Sequence, residues 1–202
     1  MNLPNKITLI RIFMIPVFVT LFFLNGILPF NYGIAAILFA LAACTDFIDG
    51  HIARSRGLVT NLGKFLDPIA DKVLVSTAMI LILTMKDSLF KNFGTSAEWL
   101  YIATVVCVCI IMARELIISA FRQIAAANGV IMAADKLGKF KTIFQDVAIF
   151  VLIFAGGWVN QSSNLDKFLA VIGFVFFAVA TILTVWSGIS YVVKNKKVLK
   201  DS

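Results

Sequence analysis

Residues 46–71 read DFIDGHIARSRGLVTNLGKFLDPIAD and carry four aspartates at fixed spacing, Asp46, Asp49, Asp67 and Asp71. Apolar sequence typical of helices flanks this stretch on both sides. A charge at bilayer depth costs about 2.5–3.5 kcal/mol on insertion scales, so carboxylates inside a membrane indicate function. Residues three or four apart share a helix face, which makes Asp46 and Asp49 one pair and Asp67 and Asp71 another.

The polar segment 55–63 between the two pairs predicts a turn that folds one pair back against the other. Four converging carboxylates repel each other unless cations lie between them, and hard divalent cations prefer oxygen ligands. Gly50 and Ala53 leave room for a ligand against the backbone, and Arg54 can reach a phosphate. Two metal ions can clamp a diphosphate, so the pattern predicts a phosphorylated substrate.

The composition is that of a membrane protein. The chain has 202 residues, 60% of them hydrophobic, and a mean hydropathy of +0.96, whereas soluble domains are about half apolar. Six apolar spans fit the length of a bilayer, and the gaps between them are too short for a second domain. We therefore expect an all-α integral membrane protein with one domain, residues 1–202, and six transmembrane helices around a polar cavity. The expected spans are residues 7–25, 32–54, 65–85, 98–121, 142–159 and 167–193.

Most lysines and arginines fall on the side of the bundle that holds both termini and the aspartate turn. The positive-inside rule then predicts a multi-pass protein of the cell membrane with its termini, cavity and active site facing the cytoplasm. The net charge of +7 suits anionic membrane lipids or an anionic substrate, and we expect no nucleic-acid partner. His51 is the only histidine, which excludes histidine clusters and His-based triads.

The pattern Asp46-x2-Asp49-Gly50-x2-Ala53-Arg54-x8-Gly63-x3-Asp67-x3-Asp71 resembles that of the CDP-alcohol phosphotransferases, and every fixed position matches. The resemblance implies displacement of CMP from a CDP-linked lipid by an alcohol. It also implies that Asp46, Asp49 and Asp67 hold two Mg²⁺ or Mn²⁺ ions, that Asp71 adds to metal binding and acts as general base, and that the protein is a homodimer.

Further residues bear on the two substrates. Three features resemble the branch of the family whose acceptor is sn-glycerol 3-phosphate. They are the motif Pro4-Asn5-x2-Thr8-x2-Arg11 at the start of the chain, Arg114 with Arg122 in and just after the fourth span, and the motif Gly138-Lys139-Phe140-Lys141-Thr142-x2-Gln145 at the fifth. A phosphorylated acceptor requires fixed cations beyond the metal site, and the basic residues can supply them. The residues assigned to CDP-diacylglycerol are Thr8, Arg11, Asp49, Gly50, Ala53, Arg54 and Gly63, and those assigned to glycerol 3-phosphate are Arg114, Arg122, Lys139 and Lys141.

Several alternatives remain open at this point. Arg114 could instead form a structural pair with Glu115 or Asp146, and Asp146 is the better partner because adjacent helix residues do not face each other. The same chemistry could use phosphatidylglycerol, an inositol phosphate or serine as acceptor. A divalent-cation transporter is the alternative from another class, although we find no repeat symmetry of the kind common in transporters.

Overall fold

The architecture is a bundle of six long helices, taken from a computed structural model that describes residues 3–24, 27–55, 61–127, 136–157 and 163–194. A short π-helical turn, Lys86–Phe90, and a 3-10 turn, Lys91–Ser96, connect the third helix to the fourth. The six helices are α1 Leu3–Phe23, α2 Asn31–Ser55, α3 Asn61–Thr84, α4 Ala97–Ala127, α5 Lys136–Gly156 and α6 Ser163–Lys194.

Each expected span corresponds to one of these helices, so the prediction of an all-α fold is confirmed. Within the described part of the chain, three helical stretches are long and apolar enough to cross a membrane: Asn5–Phe23, Phe93–Ala125 and Asn164–Lys194. In α2 the apolar part is the shorter stretch Asn31–Thr45, which ends where the aspartate pattern begins. The chain is thus a membrane protein, while six crossings and a cytoplasmic active site remain predictions.

A continuous apolar core holds the bundle together. The rings of Phe18 in α1 and Phe39 in α2 lie 6.1 Å apart between centroids, and both are fully buried. At the junction of these helices, the Asn31 side chain donates a hydrogen bond to the carbonyl of Phe22 at 2.7 Å. This bond satisfies a carbonyl at the end of α1 that lacks an intrahelical partner. Core side chains of α3 and α5, including Met79 and Ile149, continue the same cluster.

Four helices, α1, α3, α5 and α6, begin at least four residues before their apolar spans, and this places charged residues on helical backbone. α5 begins at Lys136 rather than at 142, so Lys139 and Lys141 lie in its first two turns. Residues two apart on a helix do not share a face. Accordingly, Lys141 is buried between helices and Lys139 is exposed. Similarly, α3 begins at Asn61, which makes Gly63 part of the helix instead of the predicted turn.

Candidate active site

A polar cavity of about 90 Å³ lies between α3, α4 and α5. A polar space of this size has room for several water molecules or for the head of a small substrate. Asp71 lines it from α3, and charged residues of the other two helices face the same space. The lining residues are Asp71, Lys72, Val75, Ser76, Met79, Met112, Glu115, Leu116, Lys141, Thr142, Gln145 and Asp146.

Glu115 joins two basic side chains at this cavity. Its Oε1 accepts a hydrogen bond from Lys141 Nζ at 2.6 Å and another from Arg114 Nη1 at 3.0 Å. The side chains of Lys141 and Arg114 are only 6% and 17% exposed, so the ion pairs are mostly removed from water. Charge-assisted hydrogen bonds of this kind are shorter and stronger than neutral ones.

This arrangement corrects the expectation that Asp146 is the better partner for Arg114. Neighbouring Cβ atoms on a helix do point apart, but both side chains here are long enough to bring a guanidinium nitrogen to the carboxylate. Arg114 Nη2 also donates to Ser187 Oγ of α6 at 2.9 Å. The structural pair of Arg114 is therefore with Glu115, supported by a hydroxyl from another helix.

A glycine on α6 makes room for Arg114. A Cβ at Gly188 would lie 3.0 Å from Arg114 Cγ and 3.2 Å from its Nε, closer than ordinary van der Waals contact. Ser187 and Gly188 thus fix the guanidinium from one side while Glu115 fixes it from the other. Sequence reasoning did not find these residues, because no local pattern shows which part of a later helix lies opposite Arg114.

Two further polar groups complete the cavity. Lys72 Nζ donates to Ser119 Oγ, which links α3 to α4. Gln145 is 2% exposed, and its Nε2 donates to Met79 Sδ at 3.6 Å. Its Oε1 is buried and has no hydrogen-bond partner among the described residues. A buried acceptor of this kind calls for an explanation, and at a cavity wall it can receive a proton donor from water or a substrate.

A second space, a groove of about 630 Å³, lies between α2 and α5. Its walls are mainly apolar, with Lys139 and Asp146 as the charged members. Thr142 and Asp146 line both the groove and the polar cavity, so the two spaces adjoin at α5. The groove residues are Phe39, Ala40, Ala43, Cys44, Lys139, Thr142, Ile143, Asp146, Val147 and Phe150.

The predicted nucleotide residues of α1 lie beside the start of the aspartate pattern. Thr8 and Arg11 are both fully buried. Arg11 Nε lies 3.5 Å from Thr45 Oγ1, at the long end of hydrogen-bond distances, and Thr45 immediately precedes Asp46. A buried arginine at this point adds a positive charge beside Thr45, the residue before Asp46 in the chain.

The structure therefore brings together only some of the predicted acceptor residues. Arg114 and Lys141 meet at Glu115. Arg122 instead donates from Nε to the Tyr191 hydroxyl at 3.1 Å, with its guanidinium 5.2 Å from the ring centroid, and Lys139 faces the groove. Gly63 is buried within α3. The surroundings of Asp46, Asp49, Gly50, Ala53, Arg54 and Asp67 lie outside the described part, although the backbone places them in α2 and α3.

These features define a helical membrane protein in which carboxylates and lysines line a polar cavity that adjoins a largely apolar groove. The family model for CDP-alcohol phosphatidyltransferase matches residues 1–187. The chain belongs to the CDP-alcohol phosphatidyltransferase family, whose members generally depend on divalent metal ions.

Similar proteins from several bacteria carry one name, CDP-diacylglycerol–glycerol-3-phosphate 3-phosphatidyltransferase. The protein from Bacillus subtilis (strain 168) is 37% identical over 217 residues, with all of this chain and 98% of that protein covered. The Rickettsia bellii protein is 36% identical, with 97% of this chain and 96% of that protein covered. The Salmonella paratyphi A protein is also 36% identical, with 94% and 92% covered.

Proposed function

We propose that this chain transfers the phosphatidyl group of CDP-diacylglycerol to sn-glycerol 3-phosphate, giving phosphatidylglycerophosphate and CMP. The observation that carries the proposal is the polar cavity, in which Asp71 shares the walls with Lys141 and Glu115, and Glu115 binds Arg114 in turn. A carboxylate that can accept a proton and cations that can bind a phosphate are the two requirements of a phosphorylated alcohol acceptor. The names of the similar bacterial proteins support the same pair of substrates.

The groove between α2 and α5 suits the lipid donor. Its apolar walls can hold an acyl chain, and its wall on α2 reaches Cys44, two residues before Asp46. A lipid in the groove would thus place its headgroup near the aspartate pattern, next to the cavity across α5. Thr8, Arg11, Asp49, Gly50, Ala53, Arg54 and Gly63 are the proposed contacts of the CDP-diacylglycerol head.

The metal site is proposed on Asp46, Asp49, Asp67 and Asp71. The donor set fits a hard cation because it offers carboxylate oxygens only, on two helices that pack together. Two Mg²⁺ or Mn²⁺ ions there would neutralise the diphosphate and stabilise the charge that develops on the attacking and leaving oxygens. Arg11, buried beside the start of this pattern, adds a charge that requires no metal.

Asp71 is the proposed general base. It takes the proton of the acceptor's 1-hydroxyl, and that oxygen forms a bond to the lipid-bearing phosphorus while the bond from this phosphorus to CMP breaks. Arg114 and Lys141 hold the acceptor phosphate so that the hydroxyl points at the reacting centre. Such positioning can supply a large part of a rate enhancement. Arg122 and Lys139 lie farther out and are proposed to attract the anionic acceptor.

We further propose that the protein is a homodimer in the cell membrane with the active site and both termini in the cytoplasm. Phosphatidylglycerol, an inositol phosphate or serine remains a possible acceptor for the same chemistry. Serine, which has no phosphate, would leave the buried cations of the cavity without a role. A divalent-cation transporter has less support, because the polar cavity adjoins a groove that is mainly apolar.

One assay tests the proposal. Purified full-length protein is incubated with CDP-diacylglycerol, Mg²⁺ or Mn²⁺, and one alcohol at a time, and CMP release is measured. We expect glycerol 3-phosphate to support much faster release than glycerol, serine, an inositol phosphate or phosphatidylglycerol. Equal or faster release with another alcohol would refute the acceptor assignment, and no release with any alcohol would refute the transferase.

A further inference from the structure

We infer that Glu115 is a specificity-determining residue that occupies the acceptor-phosphate site of the empty enzyme and is displaced by the phosphate on binding. The inference rests on the proposed function and deepens it. The two buried cations proposed for the acceptor phosphate already have an anion between them, and that anion belongs to the protein.

The geometry of the cluster is that of a bound anion. One carboxylate oxygen accepts hydrogen bonds from both Lys141 and Arg114, at 2.6 and 3.0 Å. Lys141 and Glu115 line the cavity. A phosphate oxygen that took the place of Glu115 Oε1 would contact Lys141 and would also reach Arg114, which is not itself part of the cavity wall. Ser187 holds the other end of the guanidinium, at 2.9 Å, so Arg114 can stay in place when its anion changes.

The side-chain charges around the cavity favour such an exchange. Two lysines and three carboxylates line it, so the wall carries no excess of positive charge for an incoming phosphate. A phosphate monoester carries a charge of about −1.5 to −2 and three acceptor oxygens, and it is a stronger ligand for buried cations than a carboxylate. If Glu115 leaves Lys141 and Arg114, both cations become available without any change in the helices.

The Glu115 carboxylate, by occupying the acceptor-phosphate site of the empty enzyme, also explains how neutral alcohols are rejected. A neutral acceptor cannot compete for Lys141 Nζ and Arg114 Nη1, since Glu115 already accepts a hydrogen bond from each. A phosphorylated acceptor can compete, but part of its binding energy is spent on displacing the carboxylate. Selectivity is therefore obtained at the cost of affinity, a combination common to specific sites.

The test is Glu115→Gln, which preserves shape and removes the charge. The matched control is Glu98→Gln, because Glu98 is also paired with a lysine, Lys86 at 3.0 Å, but is exposed and lies at the beginning of α4. KM for glycerol 3-phosphate and inhibition by inorganic phosphate are measured from CMP release. Thermal stability of each full-length protein is measured with and without inorganic phosphate.

We expect Glu115→Gln to lower both the KM for glycerol 3-phosphate and the inhibition constant of phosphate by roughly tenfold, the scale of one charge-assisted hydrogen bond. Inorganic phosphate should also raise the melting temperature of this variant more than that of the wild type, because an anion that binds the folded state stabilises it. Glu98→Gln should change none of these quantities.

An unchanged or higher KM in Glu115→Gln would overturn the inference, since Glu115 would then only position the cations. If that variant does not fold, Glu115→Asp is the second test, because a shorter side chain loosens the bond to Lys141 and should also lower KM. A higher KM there would likewise overturn it. A wild-type enzyme that releases CMP with another alcohol but not with glycerol 3-phosphate would instead remove the proposed function on which the inference depends.

Discussion

Gly188→Ala should weaken use of glycerol 3-phosphate although it changes no charge. The new Cβ would lie 3.0 Å from Arg114 Cγ and 3.2 Å from Nε, whereas ordinary carbon contacts begin near 3.5 Å. The Arg114 side chain must then move by a few tenths of an ångström at its stem, and by more at the guanidinium. Its bonds to Ser187 and Glu115 would lengthen accordingly.

The expected change in the KM for glycerol 3-phosphate can be scaled from the effect of displacing a group that positions a substrate. A misplacement of about 1 Å can cost about a hundredfold in rate, and the smaller shift here should raise the KM for glycerol 3-phosphate by roughly tenfold. Overpacking a core position also costs about 1–3 kcal/mol of stability. KM values for both substrates are measured from CMP release, and the KM for CDP-diacylglycerol should change little.

Gly173→Ala is the matched control, because the same substitution on the same helix causes a clash far from the cavity. Its Cβ would lie 2.7 Å from Leu152 Cδ2. We expect this variant to lose thermal stability and to keep its acceptor KM. If Gly188→Ala loses stability in the same way and its acceptor KM is also unchanged, then the position of Arg114 does not matter for the acceptor and the reasoning is wrong.

Four other substitutions test the proposed roles. Asp71→Asn should abolish CMP release and leave binding of CDP-diacylglycerol largely intact, because the amide cannot take the proton; near-normal turnover would contradict the role of base. Asp46→Ala should remove the gain in CDP-diacylglycerol affinity that Mg²⁺ or Mn²⁺ provides, and a full metal-dependent gain in a lipid titration would exclude it as a ligand. Arg114→Ala should raise the KM for glycerol 3-phosphate by roughly ten- to a hundredfold, since a hydrogen bond to a charged group contributes about 1.5–3 kcal/mol. Lys139→Ala, with an exposed side chain at the groove, should raise it far less, and equal effects would contradict the separate places of these two residues.

The helices could be predicted from the sequence because apolar runs of bilayer length dominate it, but their ends could not. The apolar spans leave out the charged first turns of α3 and α5, although lysine is a good helix former. This matters for Lys141, which is buried and lies in the second turn of α5, since that helix starts at Lys136. Helical phase then separates it from Lys139, two residues away.

The contacts between the residues of the candidate site were harder to predict from the sequence than the identity of those residues. Arg114 and Lys141 could be selected as candidate phosphate-binding cations from their charge and from the resemblance to a known family, but the burial of Lys141 and the shared partner Glu115 could not be predicted. The rule that adjacent residues diverge describes Cβ directions, and it takes no account of how far a long side chain can reach. Gly188 is unremarkable within α6, and its role depends on which turn of α4 lies opposite.

The position of α5 between cavity and groove has a consequence for how the two substrates are supplied. The groove opens at the surface of the bundle, where Ile143 and Val147 are exposed apolar side chains that suit a lipid environment. A donor that enters there arrives by diffusion in two dimensions, and its effective concentration is its mole fraction in the bilayer. The acceptor arrives through water, so the concentration that matters for it is its concentration per volume of buffer. Dilution of the membrane with inert lipid should therefore slow the reaction at fixed total donor, whereas dilution of the buffer at fixed acceptor concentration should not.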